Sequence, residues 1–231
     1  MSTAPPAVLI MARAPRRRQV RRALEPLLGP DGCVALEAGL ISATGSWARA
    51  VAPAGVYVAH DPPGLVPELH TLLGSGFAFF PQNGEGVASR LADAAARVFA
   101  RSAGPLLMVW PDVPRLSAAH SAAALDDLRA GCDVVLGPVI DGGFYLVALA
   151  RPLPGLFALP EPAWRSADSM SLCIAAVRDA GLEVGILRAE RALHRPTDLR
   201  AAIADPLLPG ELATVLRRRP GLSAARTGRA G

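Results

Sequence analysis

The chain has 231 residues, 51% hydrophobic and 19% charged, which excludes a disordered chain for its bulk and is enough for one large domain or two small ones. Its formal net charge of +4 is local: Arg13 to Arg22 holds six arginines and no acid, and Arg217 to Gly231 holds five and no acid. Without those eleven, 13 basic residues face 20 acidic ones, a balance of −7. Such a body is not a surface for coating nucleic acid, and neither basic segment is interleaved with aromatics for base stacking.

The first aliphatic run, Val8 to Met11, is far shorter than the ~20 residues of a spanning helix. The arginines follow it, whereas a secretory leader carries them in front. No membrane association and a cytoplasmic location are therefore expected. Cys33, Cys132 and Cys173 have no CxxC or Cys/His spacing and are expected to be small buried side chains.

In chain order, residues 1–6 read as disordered, and Val8 to Met11 opens the first of seven short apolar runs. The others are Val56 to Ala59, Phe77 to Phe80, Leu106 to Trp110, Val134 to Leu136, Phe144 to Leu149 and Val184 to Leu187. Bounded by Gly, Pro or Asp, they predict buried strands. Val87, Leu91, Ala94, Ala95 and Val98 share one helical face after Gly84-Glu85-Gly86. Ser117 can cap a helix ending at Ala130, with Gly131 at its C-terminus, and Asp168 another that stops at Gly181. Thr197 is expected to cap the helix after the last strand, and Pro209 to Arg219 reads as a final short helix with Arg217 to Arg219 complementing its dipole. Residues 220–231 lack periodicity and read as a disordered tail. Strands alternating with helices predict a three-layer α/β/α sandwich with a mostly parallel central sheet.

In such sheets ligands bind beyond the carboxyl ends of the strands. Four stretches occupy that position. The arginines between Arg13 and Arg22 can hold phosphate oxygens bidentately, or form a solvated charge run. Asp112, between Pro111 and Pro114 (with Val113 intervening), can bind a divalent cation or simply form a turn. Asp141-Gly142-Gly143 lets backbone approach a ligand closely, and is also an ordinary turn sequence. His194, ahead of Pro196-Thr197-Asp198, is the fourth; a lone histidine there is more often structural than catalytic.

Taken in order, Val8-Leu9-Ile10-Met11-Ala12-Arg13-Ala14-Pro15, Val109-Trp110-Pro111-Asp112-Val113-Pro114, Gly137-Pro138 running into Asp141-Gly142-Gly143-Phe144-Tyr145-Leu146, Trp164 with Ser166, and Pro196-Thr197-Asp198-Leu199 resemble the DUF2064 family. This is the "transferase 1, radical-SAM/selenodomain-associated" group of GT-A-like nucleotide-diphospho-sugar transferases, similar in fold to the guanylyltransferases of molybdenum-cofactor and coenzyme F420 biosynthesis. The resemblance implies a single GT-A, Rossmann-like domain, over residues 7–219. It implies a nucleotide or nucleotide sugar held by Arg13, Arg18, Arg21, Arg22, Gly84, Arg90, Gly142, Gly143, Tyr145 and Trp164. Asp112 and Asp141 are its catalytic candidates, and Asp112 with His194 would hold Mn²⁺ or Mg²⁺.

The chain departs from the family pattern at strand ends. Arg17-Arg18 stands where the family has Pro-Gly, and Arg21-Arg22-Ala23 where it has Lys-Thr-Arg. His194 replaces an acid expected at the metal, and imidazole suits manganese or zinc better than magnesium. The expected function is glycosyl transfer from a nucleotide sugar to a small acceptor. Nucleotidyl transfer from an NTP and a catalytically degenerate nucleotide- or partner-binding protein are the alternatives.

Overall fold

The computed structural model describes residues 4–64, 66–166 and 168–217. The expected tail 220–231, and the charges expected from Arg217 to Arg219, fall outside the described residues and side chains. Of the stretch expected to be disordered, residues 1–3 also fall outside, while Pro5 lies so close to Gly104 that its carbonyl leaves no room there for a Cβ.

All seven apolar runs form strands: β1 (Ala7–Arg13), β2 (Val56–Asp61), β3 (Ala78–Pro81), β4 (Leu106–Val109), β5 (Val134–Pro138), β6 (Phe144–Leu149) and β7 (Val184–Ile186). They make one sheet in the order β3-β2-β1-β4-β6-β5-β7. All neighbours are parallel except β6, which runs antiparallel to β4 and β5.

Helices cover both faces. Val8, Ile10 and Ala12 face a core shared with α1 (Glu25–Val51), α2 (Pro67–Leu73) and α4 (Ala118–Ala130). Ala7, Leu9 and Met11 face the opposite core, built from α3 (Val87–Phe99), α5 (Ser169–Asp179) and the 3-10 turn Pro154–Phe157. With both faces buried, β1 needs apolar residues at every position, so it reads as a continuous run. A third cluster packs the first half of α1 against α6 (Pro196–Ala204) and α7 (Gly210–Arg217).

Several expected details are corrected. α1 was not expected: Pro26, Gly29, Pro30 and Gly32 break its early pattern, and the chain kinks at Gly29, φ 67°, before Pro30 opens the longer segment. Asp168 precedes α5, but its side chain makes no capping bond. Thr197 does not cap α6; Asp198 does so from inside the helix, its carboxylate accepting the Arg195 N–H at 2.9 Å. Cys33 and Cys173 are buried, whereas Cys132 is only half-buried. Gly131 ends α4 with φ 117°, as its position implied. Among the described residues no helix is long and apolar enough to cross a membrane.

Candidate functional site

β1 and β4 are adjacent parallel strands from which the chain continues toward opposite edges of the sheet, to β2 on one side and past β6 to β5 on the other, and a crevice lies beyond their carboxyl ends. Its volume is about 300 Å³. Arg13 enters from the end of β1, Asp61 from β2, Gln82 from the turn after β3, Arg90 from α3, Trp110 to Asp112 from the turn after β4, and Glu37 from α1. The Gln82 amide donates to the carbonyls of Ala12 (3.3 Å) and Ala59 (3.0 Å), closing the ends of two strands. Arg13 bonds Asp61 at 3.1 Å. Arg90 donates to the Gly84 carbonyl at 3.2 Å, so Gly84 holds an arginine of the crevice without lining it.

A second cavity of about 260 Å³ adjoins the first through Arg13, Glu37 and Asp112, and adds Gln19, Arg21, Arg22 and His194. Arg21 was expected to hold phosphate, but it is turned inward. Its side chain is 7% exposed, pairs with Glu37, and donates to the carbonyls of Leu193 (3.0 Å) and Pro111 (2.8 Å) and to Asp112 Oδ1 (2.7 Å). Its backbone sits in the left-handed region, φ 50°, a conformation costing an L-residue about 1–2 kcal/mol. The buried hydrogen bonds offset that strain. Burial works to lower the Arg21 pKa, but Asp112 and Glu37 outweigh it and the guanidinium is held above its ordinary value. For Glu37 burial wins over Arg21, and its carboxyl is pushed up.

Two loops bring the remaining acids together. Ile140 donates to the Glu190 carbonyl and Leu193 to that of Asp112, so the turn after β5, the turn after β4 and the approach to α6 run side by side. His194 Nδ1 meets Asp141 Oδ2 at 3.1 Å, and Nε2 stands 3.5 Å from Asp112 Oδ2. The imidazole pKa is pushed up to about 9, by the bond toward Asp112 first, against a desolvation that lowers it, with Asp141 adding to the rise. Burial would raise Asp112, yet Arg21 and then His194 hold it at about 2.

Other expected residues divide. Arg18 and Arg22 are exposed, Arg22 lining the second cavity, and Arg18 is held at φ 59°. Gly142 and Gly143 form the tight turn between β5 and β6, where Val139 accepts from Gly142 and donates to Gly143. Tyr145 is removed from the site. It is fully buried, its hydroxyl donates to the Arg188 carbonyl at 3.3 Å, and its ring packs so closely on Gly137 that a Cβ there would lie 2.7 Å away. β6 runs antiparallel and carries Tyr145 inward. Trp164 also lines neither cavity; it packs with Phe144 and Phe157 and donates to the Leu159 carbonyl.

The donor set does not fit a divalent cation. Asp112 faces a cationic side chain with each oxygen, and His194 faces a carboxylate with each ring nitrogen. Among the described residues no three His, Cys, Asp or Glu side chains are grouped to hold a metal.

Two acids of the crevice were missed. Asp61 ends an apolar run and precedes Pro62-Pro63, the same signal that marked Asp112. Glu37 carried no signal, because only the folding of α1 over β1 brings it to the crevice.

Comparison with solved structures places this architecture among transferase-like folds. A protein from Desulfovibrio desulfuricans G20, provisionally named a nucleotide-diphospho-sugar transferase, superposes with a TM-score of 0.80 at 22% identity, over 97% of this chain and 95% of that one. CMP:2-keto-3-deoxy-manno-octonic acid synthetase, solved with CTP, gives 0.52 at 17% identity over 86% and 96%. A Bacillus anthracis protein provisionally named a glucose-1-phosphate thymidylyltransferase gives 0.51 at 10% identity over 98% and 97%. No curated protein matches the sequence significantly. The family model of DUF2064, described as an uncharacterized protein conserved in bacteria, matches residues 46–160, and the chain belongs to that family.

Proposed function

We propose that this protein is a nucleotide-binding transferase whose nucleoside occupies the crevice and whose diphosphate lies in the second cavity. The observation that carries the reading is the difference in charge between the two. The crevice sets Arg13 and Arg90 against Glu37, Asp61 and Asp112. The second cavity sets Arg13, Arg21, Arg22 and His194 against Glu37 and Asp112. An uncharged base and ribose suit the first, where Trp110 supplies an aromatic surface and Gln82 an amide. A diphosphate suits the second.

In this reading the transferred group is a glycosyl unit, moved from a nucleotide sugar to a small acceptor. Negative charge developing on the leaving diphosphate meets Arg13, Arg22 and His194, which line the cavity. Arg21 does not touch the ligand; it positions Asp112, and Asp112 with Asp141 positions His194. Asp141 spends one oxygen on His194 and lies beside the Gly142-Gly143 backbone, so its other oxygen is the group available to accept a proton from the acceptor.

Nucleotidyl transfer from an NTP to a phosphorylated small molecule is the second reading. The fold likeness to the CTP-bound synthetase favours it.

The test is a thermal-shift panel of nucleoside diphosphates, triphosphates and nucleotide sugars. A ligand of the native state at about 100 times its Kd adds about 2.7 kcal/mol of stability. Release of nucleoside diphosphate from a nucleotide sugar assigns glycosyl transfer, and pyrophosphate from an NTP assigns nucleotidyl transfer. A panel in which no nucleotide shifts the transition overturns the proposal.

A further inference from the structure

We infer that this chain binds its nucleotide diphosphate without a divalent cation, because His194 occupies the position between Asp112 and Asp141 that such a cation would take. The inference rests on the nucleotide-binding reading and concerns how the same site is neutralised.

Asp112 lines the second cavity, Asp141 approaches from a different loop, and the imidazole ring spans them, with Nδ1 3.1 Å from Asp141 and Nε2 3.5 Å from Asp112. A cation bridging the two carboxylates has to displace that ring. It also has to lie beside Arg21, whose guanidinium is 2.7 Å from the other Asp112 oxygen and has a side chain only 7% exposed. Arg21 cannot swing away without leaving Glu37 unpaired and the carbonyls of Pro111 and Leu193 without their donor. Magnesium requires an octahedron of oxygens at short range. Here the Pro111 and Leu193 carbonyls and Asp112 Oδ1 are already engaged by the Arg21 guanidinium.

The positive charge a diphosphate needs is supplied by the chain. Arg13, Arg22 and His194 line the cavity, and the side chains of Arg13 and His194 are 54% and 40% exposed. Exchanging a metal for side-chain cations removes the need for a second acid beside Asp112, which accounts for a histidine standing where the family pattern has a carboxylate.

The experiment has two arms on the full chain. In the first, UDP, GDP, CDP and ADP are titrated calorimetrically in EDTA and again with excess Mg²⁺ or Mn²⁺; the expected affinity of whichever binds is the same within about twofold. A loss of about tenfold or more in EDTA overturns the inference while leaving the nucleotide-binding reading intact. If none of the four binds in either condition, that reading falls, and the second arm still decides the metal question. There, Mn²⁺ alone is titrated and free ion is followed by electron paramagnetic resonance. The wild type is expected to leave the signal unchanged, and His194→Asp, which removes the imidazole and adds a carboxylate beside Asp112 and Asp141, to quench it stoichiometrically. Stoichiometric Mn²⁺ uptake by the wild-type chain overturns the inference whether or not the variant folds.

Discussion

Arg21 and Asp112 lie 91 residues apart in sequence and meet at 2.7 Å, fastening the arginine-rich loop to the turn after the central strand. Because Glu37 shares the same guanidinium, removing Arg21 leaves two carboxylates facing each other in a largely buried position. Arg21→Ala is expected to destabilise the fold by about 3–5 kcal/mol, read by urea denaturation. Arg22→Ala, at an exposed position in the same loop, is expected to stay within about 0.5 kcal/mol of wild type and to weaken nucleotide binding by about 1.5–3 kcal/mol. Equal stability of the two variants would show that the buried ion pairs carry no structural weight.

Arg18 offers a gain. It holds φ 59° on an exposed turn, at the position where the family pattern has glycine, so the left-handed geometry survives although the residue that accommodates it does not. Arg18→Gly is expected to raise stability by up to about 1 kcal/mol, since relief of the Cβ clash exceeds the added entropy of the unfolded chain. A lower transition midpoint in the variant would contradict this.

Stability is expected to fall with rising pH through the titration of His194. Its pKa in the folded chain is pushed up to about 9, above the ordinary value, so the imidazolium contribution is complete below about pH 6.5 and is lost as pH climbs through 9. The titratable and charged groups facing the ring and its cavity are Asp112, Asp141, Arg21, Arg22, Arg13 and Glu37. Asp112 acts in the opposite direction: with its pKa held at about 2, its contribution is present above about 4 and disappears as pH falls through 2. Denaturation midpoints measured from pH 6 to 10 should decline in the wild type and flatten in His194→Gln, and NMR titration of the ring gives its pKa directly. A ring titrating near 6.5 would remove the bridging role.

Tyr145 separates family resemblance from position in this fold. Tyr145→Phe deletes a hydroxyl bonded to the Arg188 carbonyl and is expected to cost about 0.5–1.5 kcal/mol of stability with nucleotide affinity unchanged. Calorimetry showing a tenfold weaker nucleotide complex would return Tyr145 to the site.

The alternation of strands and helices was legible because burial on both faces forces every residue of β1 or β4 to be apolar, and such a run is local information. The loops that follow those strands were legible for the same reason, so Asp112, Asp141 and His194 could be placed along one edge before any contact was known. α1 was not legible, since prolines and glycines that ordinarily break helices are accommodated at its first turns and at one kink. Glu37, which that helix delivers to the crevice, was hidden with it. Nor does local sequence distinguish Arg21 from Arg22: two adjacent identical side chains carry the same charge and reach. The tertiary structure decides between them. A left-handed backbone at one residue turns its guanidinium toward two carboxylates and two carbonyls contributed by segments far apart in the chain, and leaves its neighbour facing the cavity. Desolvation of a charge is tolerated only where such partners converge, and convergence is a property of the fold.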